Sequence, residues 1–234
     1  METKSQEPGT RNGVSAIIVA AGSSRRMGFD KLLAPLAGKP VLLRTLEAFE
    51  QCDAVDEIVV VTGGDLARTV ESWRSGLPKL KCIVEGGAER HLSVWNGLKA
   101  VSPHTGIIAV HDGGRPLITS AQISKCVAAA LDLGAVACAR PVTETLKCAD
   151  AEGRVMGSID RAGAWIMETP QVFRRDPLIR AYEHVLGGNL AVTDEVSAVQ
   201  AIGLEVHLIE NPSPNIKITF PADLALAERL VTRE

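Results

Sequence analysis

Four short runs of apolar, largely β-branched residues recur along the first half of the chain, each followed by a stretch of helical character. This alternation constrains the fold more than any other feature. The runs are Val14 to Val19, Glu57 to Thr62, Leu80 to Val84 and Gly106 to Val110. Runs of this length that are apolar on both faces suit buried parallel strands, because helices cover both sides of such a sheet. Helices are expected from Pro40 to about Gln51, from Asp65 to Arg74, from about Glu89 to Val101 and from about Ser120 to Leu133. Strand, helix and strand in succession imply right-handed crossovers and an α/β fold with a mostly parallel central sheet. Ligands of such sheets bind beyond the carboxyl ends of the strands. Three of the four runs end in glycine-rich, charged sequence there: Ala20 to Lys31, Gly86-Gly87-Ala88-Glu89-Arg90, and His111-Asp112-Gly113-Gly114-Arg115-Pro116.

The first of these, Ala20-Ala21-Gly22-Ser23-Ser24-Arg25-Arg26-Met27-Gly28-Phe29-Asp30-Lys31, reads as a phosphate-binding loop. Small residues let the backbone approach a ligand, and Arg25, Arg26 and Lys31 add three cations to its N–H groups, as a triphosphate requires. The dinucleotide fingerprint would need glycine at position 24, and the P-loop pattern would need Lys followed by Ser or Thr after its second glycine. Dehydrogenases and P-loop NTPases are therefore disfavoured.

After Gly134 the alternation breaks. Ala135 to Ala139 reads as a strand, but Arg140 to Arg161 is polar, with a turn at Asp150 to Gly153, and is expected to form an extended hairpin arm that packs on a partner subunit. Trp165 to Glu168 returns to the sheet, Thr169-Pro170-Gln171 turns, and Asp176 to Leu186 is helical. Thr193 or Asp194 is placed to cap a helix through Ile202. Strands are expected near Glu205 to Ile209 and Ile216 to Ile218, and a last helix from Pro221 with Leu224, Ala227, Leu230 and Val231 on its apolar face. Residues 1–13, rich in polar residues, are expected to form a disordered tail, and 14–234 a single domain.

Composition removes several classes of function. A formal net charge of −3 offers no basic field to a nucleic-acid backbone. No apolar run reaches membrane-spanning length or forms a secretory signal, so a cytoplasmic protein with no membrane partner is expected. Five cysteines, Cys52, Cys82, Cys126, Cys138 and Cys148, include no CxxC pair, which leaves free thiols as the expectation. His111, without a second His or Cys at ligand spacing, reads as a structural histidine.

With these segments in view the chain resembles the 2-C-methyl-D-erythritol 4-phosphate cytidylyltransferase family. The motifs that carry the likeness are AAGSSRRMG, GGAERHLSV, VHDGGRP, PVTETLK, the IDR before Trp165, TPQVF, TDEVSA and NIKITFPADLALAE, in that family's order from about Val14 to Leu230. The first loop departs from the family, since Asp30 precedes and Leu32 follows the lysine where Pro and Gln are usual. That opening looks more like the molybdenum-cofactor cytidylyl- and guanylyltransferases. The resemblance implies a Rossmann-like nucleotidyltransferase fold and a homodimer joined through the 140–161 arm. It also implies CTP as substrate, a divalent cation, usually magnesium, and transfer of CMP to 2-C-methyl-D-erythritol 4-phosphate with release of pyrophosphate.

Residue by residue, the resemblance makes Arg26 and Lys31 the stabilisers of the transition state and the departing pyrophosphate, with Lys217 orienting the acceptor phosphate. Arg161 and Thr145, on the arm, would reach the acceptor phosphate of the other subunit. Asp112 would hold the metal or the nucleotide and acceptor hydroxyls. Ala20, Ala21, Gly22, Gly87 and Ser93 would contact cytosine and ribose, with Arg115 and Thr193 near the acceptor. The competing expectations are another polyol phosphate as acceptor, above all D-ribitol 5-phosphate, a molybdopterin nucleotidyltransferase, and a nucleotide-binding protein without catalysis.

Overall fold

A strand buried on both faces needs layers above and below its sheet, and β1 (Gly13–Val19), buried from Val14 to Ile18, is such a strand. The structure, a computed structural model, describes residues 13–22 and 28–231. The further strands in chain order are β2 (Pro35–Leu36), β3 (Lys39–Pro40), β4 (Glu57–Val61), β5 (Leu80–Val84), β6 (Thr105–Asp112), β7 (Ala135–Pro141), β8 (Leu146–Ala149), β9 (Val155–Ile159), β10 (Trp165–Arg174) and β11 (His207–Glu210). The helices are α1 (Val41–Glu50), α2 (Gly64–Ser72), α3 (Arg90–Ala100), α4 (Ser120–Leu133), α5 (Arg175–Gly187), α6 (Glu195–Gln200) and α7 (Pro221–Val231). Val14, Ala16 and Ile18 of β1, with Ile58 and Val60 of β4, face a layer built from α1, α2, α4 and α7. Ile17 of β1 and Val59 and Val61 of β4 face the opposite layer, built from α3, α5 and α6. Each pair of neighbouring residues therefore feeds two cores, which is why the runs read as continuously apolar.

The seven main strands lie in the order β5-β4-β1-β6-β10-β7-β11. All are parallel except β10, which runs antiparallel to both β6 and β7. From β1 the chain moves outward through β4 to β5, then returns over α3 to β6 on the other side of β1. The gap beyond the carboxyl ends of β1 and β6 is thus the switch point where an open α/β sheet binds its ligand.

Three expected details differ. Gly13, assigned to the tail, already belongs to β1, where it pairs with Thr105. Thr169-Pro170-Gln171 is no turn: the Thr169–Pro170 peptide is cis, and β10 runs through it with a shift of register against β7 between Met167 and Gln171. Residues 216–218 do not form a strand. Instead Asn215 Nδ2 donates to Thr169 O of β10 at 2.7 Å and Ile218 N to Gly114 O, just past β6, at 2.8 Å, so isolated bonds rather than a ladder fasten this segment to the sheet. Of the two candidate caps of α6, Asp194 serves: its carboxylate accepts from Ser197 N at 2.9 Å.

β8 and β9 form a separate two-stranded ribbon, the arm expected between 140 and 161. β9 is exposed throughout, with Val155, Met156 and Ile159 open to solvent. Among the described residues no helix is long and apolar enough to cross a membrane.

Candidate active site

A cavity of about 610 Å³ opens beyond the carboxyl ends of β1, β5 and β6. Ala20, Ala21 and Gly22 line it from the end of β1, Gly87 and Ser93 from the β5–α3 connection, and Asp112 from the end of β6. Lys31 and Lys217 enter from segments distant in sequence, and Arg90, Glu89 and Thr219 complete its charged and polar lining. A shallower cavity of about 290 Å³ continues from it past Ala20 to Gly22 and Gly87 toward Asp30, Thr62 and Glu85.

The local sequence explains why the backbone comes so close here. A β-carbon on Gly87 would lie 2.4 Å from Leu92 Cβ, so only glycine lets the chain fold back over the start of α3. Ser93 holds that turn, accepting from Gly87 N at 3.0 Å and donating to Glu89 O at 3.1 Å. Its hydroxyl thus shapes the loop on which a base or sugar could rest.

Asp112 is buried and is the electrostatic centre of the site. Arg90 donates to its Oδ1 through Nε and Nη2, both at 3.3 Å. Oδ2 faces Lys217 Nζ at 2.9 Å and Arg115 Nε at 3.4 Å. Burial alone would raise its pKa, but Arg90, Lys217 and Arg115 outweigh that and hold the carboxyl well below the usual range. Arg90 in turn meets Glu195, with Nη1 to Oε1 at 2.6 Å and Nη2 to Oε2 at 3.1 Å. Burial would lower the Arg90 pKa, yet the Glu195 and Asp112 carboxylates raise it above its ordinary value. Lys31 Nζ donates to Ile218 O at 2.7 Å, which brings the first loop against the 215–219 segment.

His111 is fully buried beside Phe49, with ring centroids 4.9 Å apart. Its Nε2 lies 3.2 Å from Arg115 O and its Nδ1 lies 2.9 Å from Thr169 Oγ1. A carbonyl can only accept, so the proton sits on Nε2, and Thr169 donates to Nδ1 while accepting from Asp112 N at 3.1 Å. Burial holds the His111 pKa down to about 3, so the ring is neutral and fixes the backbone that presents Asp112.

The fold therefore gathers Ala20, Ala21, Gly22, Lys31, Gly87, Ser93, Asp112 and Lys217 around one cavity. Arg115 sits just behind it, its Nη1 donating to Asn215 O at 2.8 Å, and so braces the segment that carries Lys217. Three further expected residues that the structure describes stand away from the cavity. Thr145 and Arg161 are exposed on the arm, where Arg161 Nη1 bonds Thr143 O, and neither lines the cavity. Thr193 is exposed beside Ser197 Oγ, 3.3 Å away, and does not line the cavity either. Arg26, with Arg25, lies outside the described residues. Sequence reasoning missed Arg90 and Glu195 as site residues, although both stand inside motifs already singled out. The available signal was an arginine three residues after a glycine pair, at the first position of a helix, and a carboxylate immediately after a helix cap.

Among the described residues no group of three or more His, Cys, Asp or Glu side chains could hold a metal ion. Asp112 is already shared by three cations, so a divalent cation here would be held chiefly by a ligand's own phosphates.

A mostly parallel sheet with cations converging on a carboxylate at its switch point suits an α/β nucleotidyltransferase, and solved structures of that kind match this chain. One from Anaerococcus prevotii, a 4-diphosphocytidyl-2C-methyl-D-erythritol synthase, superposes with a TM-score of 0.84 at 28% identity, covering 95% of this chain and 97% of that one. The family model for 2-C-methyl-D-erythritol 4-phosphate cytidylyltransferase matches residues 14–233, and the chain belongs to this family. Similar proteins of that name include one from Symbiobacterium thermophilum, 42% identical over 226 residues and 94% of each chain. Another, from Alkaliphilus oremlandii, is 39% identical over 225 residues, 93% of this chain and 94% of that one.

Proposed function

We propose that this chain transfers CMP from CTP to 2-C-methyl-D-erythritol 4-phosphate, giving 4-diphosphocytidyl-2-C-methyl-D-erythritol and pyrophosphate. The observation that carries the reading is the convergence of Lys31, Arg90 and Lys217 on one cavity at the β1–β6 switch point, in a chain of this family.

The chemistry needs those cations more than it needs an acid or a base. A phosphomonoester loses its second proton near pH 6, so one of its oxygens is already an anion at neutral pH. That oxygen forms the new bond to the α-phosphorus of CTP as the bond from the α-phosphorus to the β-phosphate oxygen breaks, and the electron pair leaves with pyrophosphate. What opposes the step is repulsion between two anions and the charge on the five-coordinate phosphorus. Alignment and fixed positive charge lower both costs. Lys31 and, from the first loop, Arg26 are assigned to the departing phosphates, and Lys217, held by Asp112, to the acceptor phosphate whose oxygen bonds the α-phosphorus. The Ala20 to Gly22 backbone and the Gly87 turn shaped by Ser93 are assigned to cytosine and ribose. Magnesium is assigned to the substrate as its CTP complex, which the phosphates would chiefly hold, with Asp112 as the protein carboxylate that would assist.

The exposed apolar face of β9 supports a homodimer built through the arm. In that dimer Thr145 and Arg161 would serve the neighbouring subunit's acceptor phosphate.

Magnesium-dependent pyrophosphate release from CTP, measured with 2-C-methyl-D-erythritol 4-phosphate, with D-ribitol 5-phosphate and without acceptor, tests the reading. Release with the first acceptor alone is expected. Release chiefly with the second would reassign the acceptor, and silence in all three arms would remove the catalytic reading.

A further inference from the structure

Arg90 opens α3 and ties the cavity to the helical layer behind it. Its guanidinium is shared between Asp112 Oδ1, at 3.3 Å, and the two oxygens of Glu195, at 2.6 and 3.1 Å. Glu195, at the first position of α6, is fully buried and also accepts from Tyr182 Oη at 3.0 Å. The Tyr182 ring stacks on Trp95 of α3, with centroids 6.2 Å apart and planes inclined by 4°. Lys217 and Arg115 occupy the other oxygen of Asp112.

This division of the Asp112 carboxylate has a mechanical consequence. The terminal torsion of an aspartate is broad, so the side chain alone does not choose which oxygen Lys217 meets. The Arg90 fork on Oδ1 makes that choice. Arg90 could in turn swing to engage both oxygens of Asp112, the geometry guanidinium prefers with a single carboxylate. Glu195 prevents this by holding both terminal nitrogens. A buried ion pair of this kind is poor evidence for stability, since apolar residues of equal volume often serve as well. Its directionality is what an apolar pair could not supply.

We propose that Glu195, acting through Arg90, is a positioning residue for nucleotidyl transfer: it turns the Asp112 carboxylate so that Oδ2 holds the Lys217 ammonium at the reacting phosphates. The inference rests on the reading given under Proposed function. Misplacing a reacting group slightly costs turnover more than affinity, so the effect falls on kcat.

The test uses Glu195→Gln, which keeps size and shape and removes the charge. Pyrophosphate release is measured with CTP varied, and turnover is referred to the number of CTP-binding sites counted by calorimetry, so that misfolded protein does not enter. The expected result is kcat per site lowered about tenfold with KM for CTP within about twofold of wild type. Lys217→Ala with Glu195→Gln should be no slower than Lys217→Ala alone, because both act on the same ammonium. An unchanged kcat per site overturns the proposal, as does a raised KM with unchanged kcat, which would make Arg90 a nucleotide-binding side chain only. Should Glu195→Gln fail to fold, Tyr182→Phe removes only the hydroxyl that steadies Glu195. There about a threefold loss of kcat at constant KM supports the proposal and an unchanged kcat overturns it. A wild-type protein that binds CTP yet releases no pyrophosphate overturns the underlying reading first, and that failure is recognised because it precedes any variant.

Discussion

In the cavity wall Lys31, Arg90 and Lys217 outnumber the carboxylates Glu89 and Asp112, and the excess positive charge suits a bound triphosphate. Lys31 and Lys217 hang from different segments but meet through Ile218, whose carbonyl accepts from Lys31 while Lys217 precedes it in sequence. Replacing either by alanine is expected to lower kcat about 10²- to 10³-fold, the usual loss when one preorganised donor to a transition state is removed. Circular dichroism should be unchanged, and near-normal turnover by a purified variant would remove that lysine from the mechanism. His111 gives a second prediction at this scale. Burial depresses its folded pKa to about 3 from an ordinary 6.5, so the unfolded chain takes up a proton that the folded chain refuses. Its contribution is complete above about pH 6.5 and is lost as pH falls toward 3. Asp112, also depressed, acts in the same direction below the ordinary carboxylate range. From pH 7.5 to pH 5 the His111 term alone amounts to about 2 kcal/mol of lost stability. Urea unfolding at the two pH values should show that loss in wild type and a correspondingly smaller one in His111→Gln; equal slopes would refute the assignment.

Elements carry the same logic one level up, and α3 shows how closely a helix must lie on its sheet for the site to form. A β-carbon at Gly97 would sit 2.6 Å from Ile17 Cγ2 and 3.0 Å from Val61 Cγ2. Alanine would gain about 1 kcal/mol of helix propensity, but overpacking a rigid core costs about 1–3 kcal/mol, and the packing term wins because both neighbours are held in central strands. Gly97→Ala should therefore lower the urea midpoint, and, because α3 also carries Arg90 and Ser93, reduce turnover in the protein that remains folded. An unchanged or higher midpoint would show that α3 can lift without cost. This dependence on close approach also marks how far the sequence could be read. The boundaries of α4 and β5 match the sequence reading, α4 over Ser120–Leu133, where Thr119 proves to be the cap, and β5 over the apolar run Leu80–Val84. The gathering of three strand ends on one cavity was legible because parallel topology forces it. The path through Thr169–Pro170 was not, since a proline inside a run argues against a strand and only the neighbouring β6 and β7 hold β10 in line. Nor was the role of Arg90 and Glu195, because their contact joins residues 105 positions apart and leaves no periodic trace.

For the molecule as a whole the arm poses the decisive question, because two of the expected phosphate ligands, Thr145 and Arg161, stand on it and away from the cavity. A two-stranded ribbon alone is marginal in water, and this one exposes Val155, Met156 and Ile159. A second copy of the chain that covered these residues would remove the apolar surface and carry the arm's cations to a cavity on the opposite subunit. Arg161 then acts in trans, and its function can be separated genetically from that of Lys31, which acts in cis. Homodimers of Arg161→Ala lack the cation at both sites, and homodimers of Lys31→Ala lack the lysine at both. In a mixed dimer one cavity lacks both side chains while the other receives Arg161 from one chain and Lys31 from its own. Mixing the two inactive proteins should therefore restore activity, up to about one quarter of wild type per total chain if exchange is random and one site in each mixed dimer is intact. Sedimentation must show dimers, and mass spectrometry of differently tagged chains must show exchange. If verified mixed dimers remain as inactive as their parents, Arg161 does not serve the neighbouring cavity, and the arm joins subunits without contributing to catalysis.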